Sequence, residues 1–218
     1  ATLALATLLS LALAIEQSAR ATSEATAARA QAQRASTVRD VLIDILETSS
    51  ADLPANQKPT PDVLAAMAEK RVLADPLLAP ALRADILLTL ANIHLSQRAL
   101  ADAQRALDTA KPLLADEDRL RHATLEAQRL LANNQADAGA EQLRLWLPAL
   151  EKGPQPHSGD ALQTLAFIEW EQGNFDETLR LLQLAAKHFE QLDGVDSLKA
   201  IEAHADVANY YGSRQQWA

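Results

Sequence analysis

The apolar and small positions in the last two thirds of the chain recur as a unit rather than along one uniform period. Three complete units can be laid over one another: Leu90-Ala91…Leu100…Ala103…Leu107…Ala110, Glu126-Ala127…Ala136…Gly139…Leu143…Trp146, and Leu165-Ala166…Phe175…Thr178…Leu182…Ala185. Val207-Ala208…Trp217 begins a fourth. Each complete unit sets a small residue twelve positions after its anchor alanine and a leucine sixteen after it. Small side chains belong where two helices cross closely, and bulky ones fill the gap between them, so each unit predicts a helical hairpin. The anchors Ala91, Ala127, Ala166 and Ala208 are separated by 36, 39 and 42 residues, the spacing of a stacked α-repeat array. The predicted hairpins pair 81–96 with 100–114, 118–132 with 136–147, and 160–172 with 175–192, and a first helix over 197–214 follows.

Before the repeats, Thr60-Pro61 predicts a helix start, with Thr60 as N-cap and Pro61 in the first turn. That helix presents Val63, Leu64, Met67 and Val72 and ends at Asp75-Pro76. Further upstream, Val38, Val41, Leu42, Ile45 and Leu46 form an amphipathic stripe. Pro54 and Pro59 then mark a linker. Residues 16–36 are rich in alanine, and Ala21, Ala25, Ala28, Ala32 and Ala35 follow the alternating spacing of a coiled-coil seam. The expectation is a juxtamembrane helix able to pair two chains through residues 16–48.

Residues 1–15 carry no charged side chain. Their length falls short of the roughly 30 Å hydrocarbon core of a bilayer. Since the chain opens on Ala, the segment reads as the C-terminal part of a transmembrane helix. The rival is a secretory signal core, with Ala12-Leu13-Ala14 as its cleavage site. The organisation expected is therefore a membrane segment over 1–15, a juxtamembrane helix and linker over 16–59, a leading helix over 60–80, and about three and a half repeats over 81–218.

Composition narrows the chemistry. Hydrophobic residues make up 48% but aromatics only 4%, with Gly at 6 positions; alanine and leucine dominate, and an all-α fold follows. The net charge of −9 lacks the cationic footprint that nucleic-acid binding needs. No cysteine is present, which removes disulfides and thiolate metal sites. His94, His122, His157, His188 and His204 lie on separate elements without metal-ligand spacing, and read as surface or turn residues. The acidic runs Asp116-Glu117-Asp118 and Asp176-Glu177 sit at helix starts, where the macrodipole alone favours them. No catalytic residue, metal site or cofactor is nominated.

The third unit carries a recognisable turn, Gly173-Asn174-Phe175-Asp176-Glu177-Thr178, and resembles the tetratricopeptide repeat (TPR), which typically has Ala where Thr178 stands. The first unit has Arg98 where that family places glycine; the second has Gly139 for Ala and Trp146 at a small site. The resemblance implies a right-handed α-α superhelix, a TPR-like solenoid, whose first helices line a concave groove for a protein or peptide ligand. By register the inward positions are Asp85, Leu88, Asn92 and Leu95; Arg121, Thr124, Gln128 and Leu131; Asp160, Gln163, Phe167 and Trp170; and Glu202, Ala205 and Asn209. From these the candidate groove residues are Asn92, Leu95, Gln128, Gln163, Phe167, Trp170 and Asn209. Asn92 and Asn209 match the asparagine of the family's carboxylate clamp, but Leu88 and Ala205 stand where its lysine would be. Phe167 and Trp170 are aromatic anchor candidates. Trp146, Phe175, Leu182 and Phe189 are expected in the core, while Tyr210, Tyr211 and Trp217 are expected to face a continuation of the array.

The order of segments, with Val38-Arg39-Asp40-Val41-Leu42, Pro61-Asp62-Val63-Leu64 and Leu82-Arg83-Ala84-Asp85-Ile86-Leu87, is similar to the extracytoplasmic region of bacterial transmembrane Ser/Thr protein kinases. That resemblance implies a single-pass membrane protein with a kinase domain upstream and the repeats outside the cytoplasm, most simply in the periplasm. An envelope scaffold without a kinase is the alternative. This chain itself carries no kinase motif.

Overall fold

The computed structural model describes residues 36, 38–40, 43 and 60–215. The membrane-segment, coiled-coil and linker expectations, the juxtamembrane range apart from residues 36, 38–40 and 43, the upstream stripe apart from Val38, and Trp217 fall outside the described residues. The chain divides into two units, Ala1–Leu53 and Pro54–Ala218. In the first, the described residues are helical, and the Ser36 hydroxyl donates to Asp40 one turn on, at 3.3 Å.

The second unit is all-α among its described residues. Its helices are α1 (Pro61–Ala74), α2 (Pro80–Ser96), α3 (Leu100–Ala110), α4 (Arg119–Ala132), α5 (Ala136–Arg144), α6 (Leu147–Leu150), α7 (Ser158–Glu171), α8 (Phe175–Asp193) and α9 (Leu198–Gln215). Short 3-10 turns, Lys111–Leu113 and Asp116–Asp118, join α3 to α4. As expected, α1 starts after an extended Thr60 with proline in its first turn. No threonine side-chain cap forms; the Leu64 amide instead donates to the Thr60 carbonyl at 3.1 Å. The buried stripe of α1 is Ala65, Ala68 and Val72, whereas Val63 is exposed.

The pairs α2/α3, α4/α5 and α7/α8 are hairpins with one common turn. In each, a left-handed residue sits at the same place: Arg98 (φ 57°), Asn134 (φ 59°) and Gly173 (φ 79°). The following amide reaches back to the carbonyl five residues earlier: Ala99 to His94 at 2.9 Å, Gln135 to Leu130 at 2.8 Å, Asn174 to Glu169 at 2.8 Å. This is the Schellman closure that satisfies carbonyls left over at a helix C-terminus. Three such turns at the spacing of the anchors show that the repeat register is right for these units, although only one of them contains glycine.

The helix crossings explain the small residues. Ala91, Ala127 and Ala166 are fully buried, as are Ala103 and Ala110. Gly139, which stands where the other units have Ala103 and Thr178, is also buried. A Cβ there would come within 3.1 Å of the Ala127 carbonyl oxygen, so the crossing of α4 and α5 is too close for alanine without a shift. Each hairpin packs on the next: α2 contacts α4, α4 contacts α7, α5 contacts α7, and α8 contacts α9.

The fourth unit departs from expectation. Ala208 is exposed, and the inward stripe of α9 is Ala200, Ala203, Val207 and Tyr210. With alanine at positions 200, 203, 205 and 208, a small-residue template fits two faces of this helix equally well. Only the 3.5-residue rhythm ending in a bulky tyrosine separates them. Among the described residues no helix is long and apolar enough to cross a membrane.

Candidate functional site

Polar contacts run between equivalent helices of successive hairpins. Arg121 on α4 donates to Thr89 of α2 at 2.9 Å and lies 3.5 Å from Asp85. Gln128 on α4 donates to the Thr164 hydroxyl of α7 at 3.1 Å, 36 residues away. Lys199 on α9 binds Asp160 of α7 at 3.0 Å, and Gln163 of α7 donates to Asp206 of α9. Burial pushes the Asp160 carboxyl up, but hydrogen bonding from His157 and Lys199 together with their charges outweighs it, and the group sits below its usual range. Burial likewise lowers the Arg121 guanidinium against the raising pull of Asp85, Asp118 and Asp160. These side chains join hairpin to hairpin, so Gln128 and Gln163 already have partners.

Three of the positions read as inward by register are buried. Leu88 is fully out of solvent, Asp85 is buried beside Arg121, and Thr124 is buried with its hydroxyl donating to the Leu120 carbonyl at 2.8 Å. Asn92 is exposed and Leu95 half-buried, with no cavity described beside them. The histidine reading also needs correction. His94 is 1% exposed, with its ring 3.8 Å from the buried Glu69, and His188 is buried with Nδ1 2.8 Å from the Ser158 hydroxyl. Burial lowers the His188 pKa, and the like charge of Lys187 adds to this.

The remaining candidates converge. A cleft of about 270 Å³ lies where α7, α8 and α9 meet, lined by Ala166, Phe167, Trp170, Leu182, Asp206 and Asn209 among others. Phe167, Trp170 and Asn209 were legible as groove residues; Asp206, Tyr210 and Ser213 were not, because of the one-residue slip in α9. Phe167 is 55% exposed, an unusual cost for a phenylalanine. Trp170 is held edge-on by Phe175 (centroids 5.1 Å apart) and by Tyr210 (5.8 Å). Tyr210 is therefore buried against the third hairpin rather than facing a continuation of the array as expected, while Tyr211 is 47% exposed.

Beneath the cleft the hairpin turn is braced by Glu169, which is buried and accepts from Arg144 at 3.1 Å and from the Asn174 amide at 2.7 Å. Sequence reading missed this brace. Its only signal was a glutamate placed on the inward stripe of α7, where every other member is apolar or small. Such a doubly bonded buried carboxylate fixes the end of α7 on which Trp170 sits.

The cleft offers an exposed ring, an aromatic floor held by edge-on contacts, the Asn209 amide and the Asp206 carboxylate. Among the described residues no cluster of three His, Cys, Asp or Glu side chains is placed to hold a metal ion. Compared with protein-family models and with curated proteins, the chain finds no match.

Proposed function

We propose that the chain is a protein–protein interaction module of the TPR type, a right-handed superhelix of hairpins that takes a peptide segment in the cleft between α7, α8 and α9. One observation carries the reading: Phe167 stands largely in solvent over an aromatic floor that is itself locked by edge-on contacts. Large rings immobilised at the edge of a cleft are the residues that dominate interface energies. The repeated Schellman turns and the hairpin-to-hairpin polar contacts support the superhelical arrangement. A cleft of about 270 Å³ is small for a whole ligand molecule and suits a side chain presented by a peptide.

The order of segments extends this proposal. It favours the sensory region of a single-pass membrane Ser/Thr kinase, with the repeats outside the cytoplasm and the Ala-rich helix coupling two chains. An envelope scaffold is the reading if no kinase motifs precede the segment in the parent gene.

The test is panning of a random-peptide display library against the full chain, followed by binding of the recovered peptides to Phe167→Ala. The expected loss is about tenfold or more, the size of an aromatic hot spot, with folding unchanged. Recovered peptides that bind Phe167→Ala as tightly as the parent chain would remove the cleft from the account.

A further inference from the structure

The charges around this cleft are one-sided. Asp206 lines it, and among the described residues its only partner is the neutral amide of Gln163. One turn earlier on α9, Glu202 is exposed; one turn beyond Phe167 on α7, so is Glu171. Neither carboxylate has an ion pair among the described residues. The neighbouring cations are engaged elsewhere. Lys199 is held by Asp160. Arg214 lies over the Phe175 ring at 4.4 Å and lines a different cavity, with Arg144, Glu169 and Glu177. Hence the cleft walls are aromatic, their one charged member is the carboxylate of Asp206, and Arg214, the nearby cation without a carboxylate partner, is turned to the Phe175 ring.

We propose, resting on the reading of the cleft as a peptide site, that its ligand is a cationic segment of a partner protein: a lysine or arginine beside a bulky apolar residue. The apolar side chain packs on Phe167 and Trp170. The cation sits against Asp206, in the cleft that Trp170 also lines, and a cation over that ring would gain cation–π attraction. Glu202 and Glu171 raise the encounter rate and bias the sign of the partner without needing direct contact. This is the opposite polarity to a clamp for a C-terminal carboxylate, which an aspartate in the wall would repel.

The experiment uses the same panning of the full chain and three substitutions. Recovered peptides are expected to be enriched in Lys or Arg next to an apolar residue, and to bind less tightly as salt rises. Asp206→Asn keeps an acceptor for Gln163 and removes only the charge; binding is expected to fall about tenfold, the size of one charge-assisted hydrogen bond. Glu202→Gln is expected to slow association with little change in dissociation. Asp193→Asn, eleven residues beyond Leu182 on α8 and so about 16 Å away, removes the same charge remotely and is expected to leave binding unchanged. Peptides without basic enrichment, or an Asp206→Asn chain that binds as well as the parent, overturn the cationic assignment. If Phe167→Ala still weakens that binding about tenfold or more, the peptide cleft stands and only its polarity is wrong. If neither substitution matters, or nothing is recovered, both readings fall.

Discussion

The first and third hairpins share one turn, yet they differ in the side chains that fill the space beside it, and the third borders the aromatic cleft. Between α2 and α3 the contacts are aliphatic: Ala84, Ile86, Leu87, Leu90, Ala91, Ala103 and Leu107 are all out of solvent. All eight aromatic residues of the chain lie at or beyond position 146, and six of them lie on α7, α8 and the C-terminal half of α9. Aliphatic side chains on a helix interdigitate and close the space between neighbours, whereas rigid rings meeting edge-on leave part of it open. The contrast separates two roles within one repeated plan. The early hairpin is built for packing, and the late one gives up packing at Phe167 to present a ring.

That division can be broken most forcefully at Leu87. Leu87→Ala removes a fully buried side chain and is expected to cost about 3 kcal/mol, read as a lower midpoint in urea unfolding. Phe167→Ala, at the exposed ring, is expected to cost less than about 1 kcal/mol while weakening peptide binding. Equal stability losses at the two positions would erase the distinction between packing and presenting hairpins.

A smaller effect probes the close crossing of the second hairpin. Gly139→Ala brings a methyl to 3.1 Å from a backbone carbonyl. Overpacking should outweigh the gain in helix propensity, for a net loss of about 1 kcal/mol. A stabilised variant would mean that α4 and α5 are not pressed together there.

Two histidines in different hairpins set a pH dependence. Burial lowers the pKa of His122 and of His188 below the unfolded value, so the unfolded chain takes up protons first. Their contribution to stability is complete above about pH 6.5 and is lost as pH falls through the lower folded pKa values. Thermal midpoints measured from pH 7.5 downward should therefore decline, and the double variant His122→Gln, His188→Gln should decline less. A parent chain whose stability rises over that range would contradict the burial of both rings.

The smallest effects compare the turns themselves. Arg98 holds φ at 57° where the third hairpin has Gly173 at 79°. Arg98→Gly should stabilise by about 0.5 kcal/mol and Gly173→Ala should destabilise by about 1 kcal/mol, both within reach of denaturant midpoints.

What could be read from the residues divides along physical lines. Helix starts were marked by Thr60-Pro61 and by acidic first turns. The crossings were marked by Ala91, Ala127 and Ala166, because a close approach admits few side chains. Even Gly139, which looked like a misfit, obeyed that rule more strictly than its counterparts. On α9 the rule lost its force, since alanines on two faces satisfy it equally, and with the register went Asp206 and Tyr210. The inward polar positions were harder still. Whether Gln128 or Gln163 faces a ligand or a neighbouring hairpin depends on how closely Thr164 and Asp206 approach, and no property of one helix sets that distance. Leu88 and Thr124 were lost for the same reason, being covered by neighbours that the pattern within α2 or α4 does not reveal.

Backbone hydrogen exchange of the full chain, with and without a saturating recovered peptide, addresses the central claim most directly. Slowed exchange concentrated in 163–171 and 202–213, with 84–110 unchanged, is the expected result. Protection confined to the first hairpin or to the outward face of α9 around Leu198 and Ile201 would contradict it and move recognition away from the aromatic cleft.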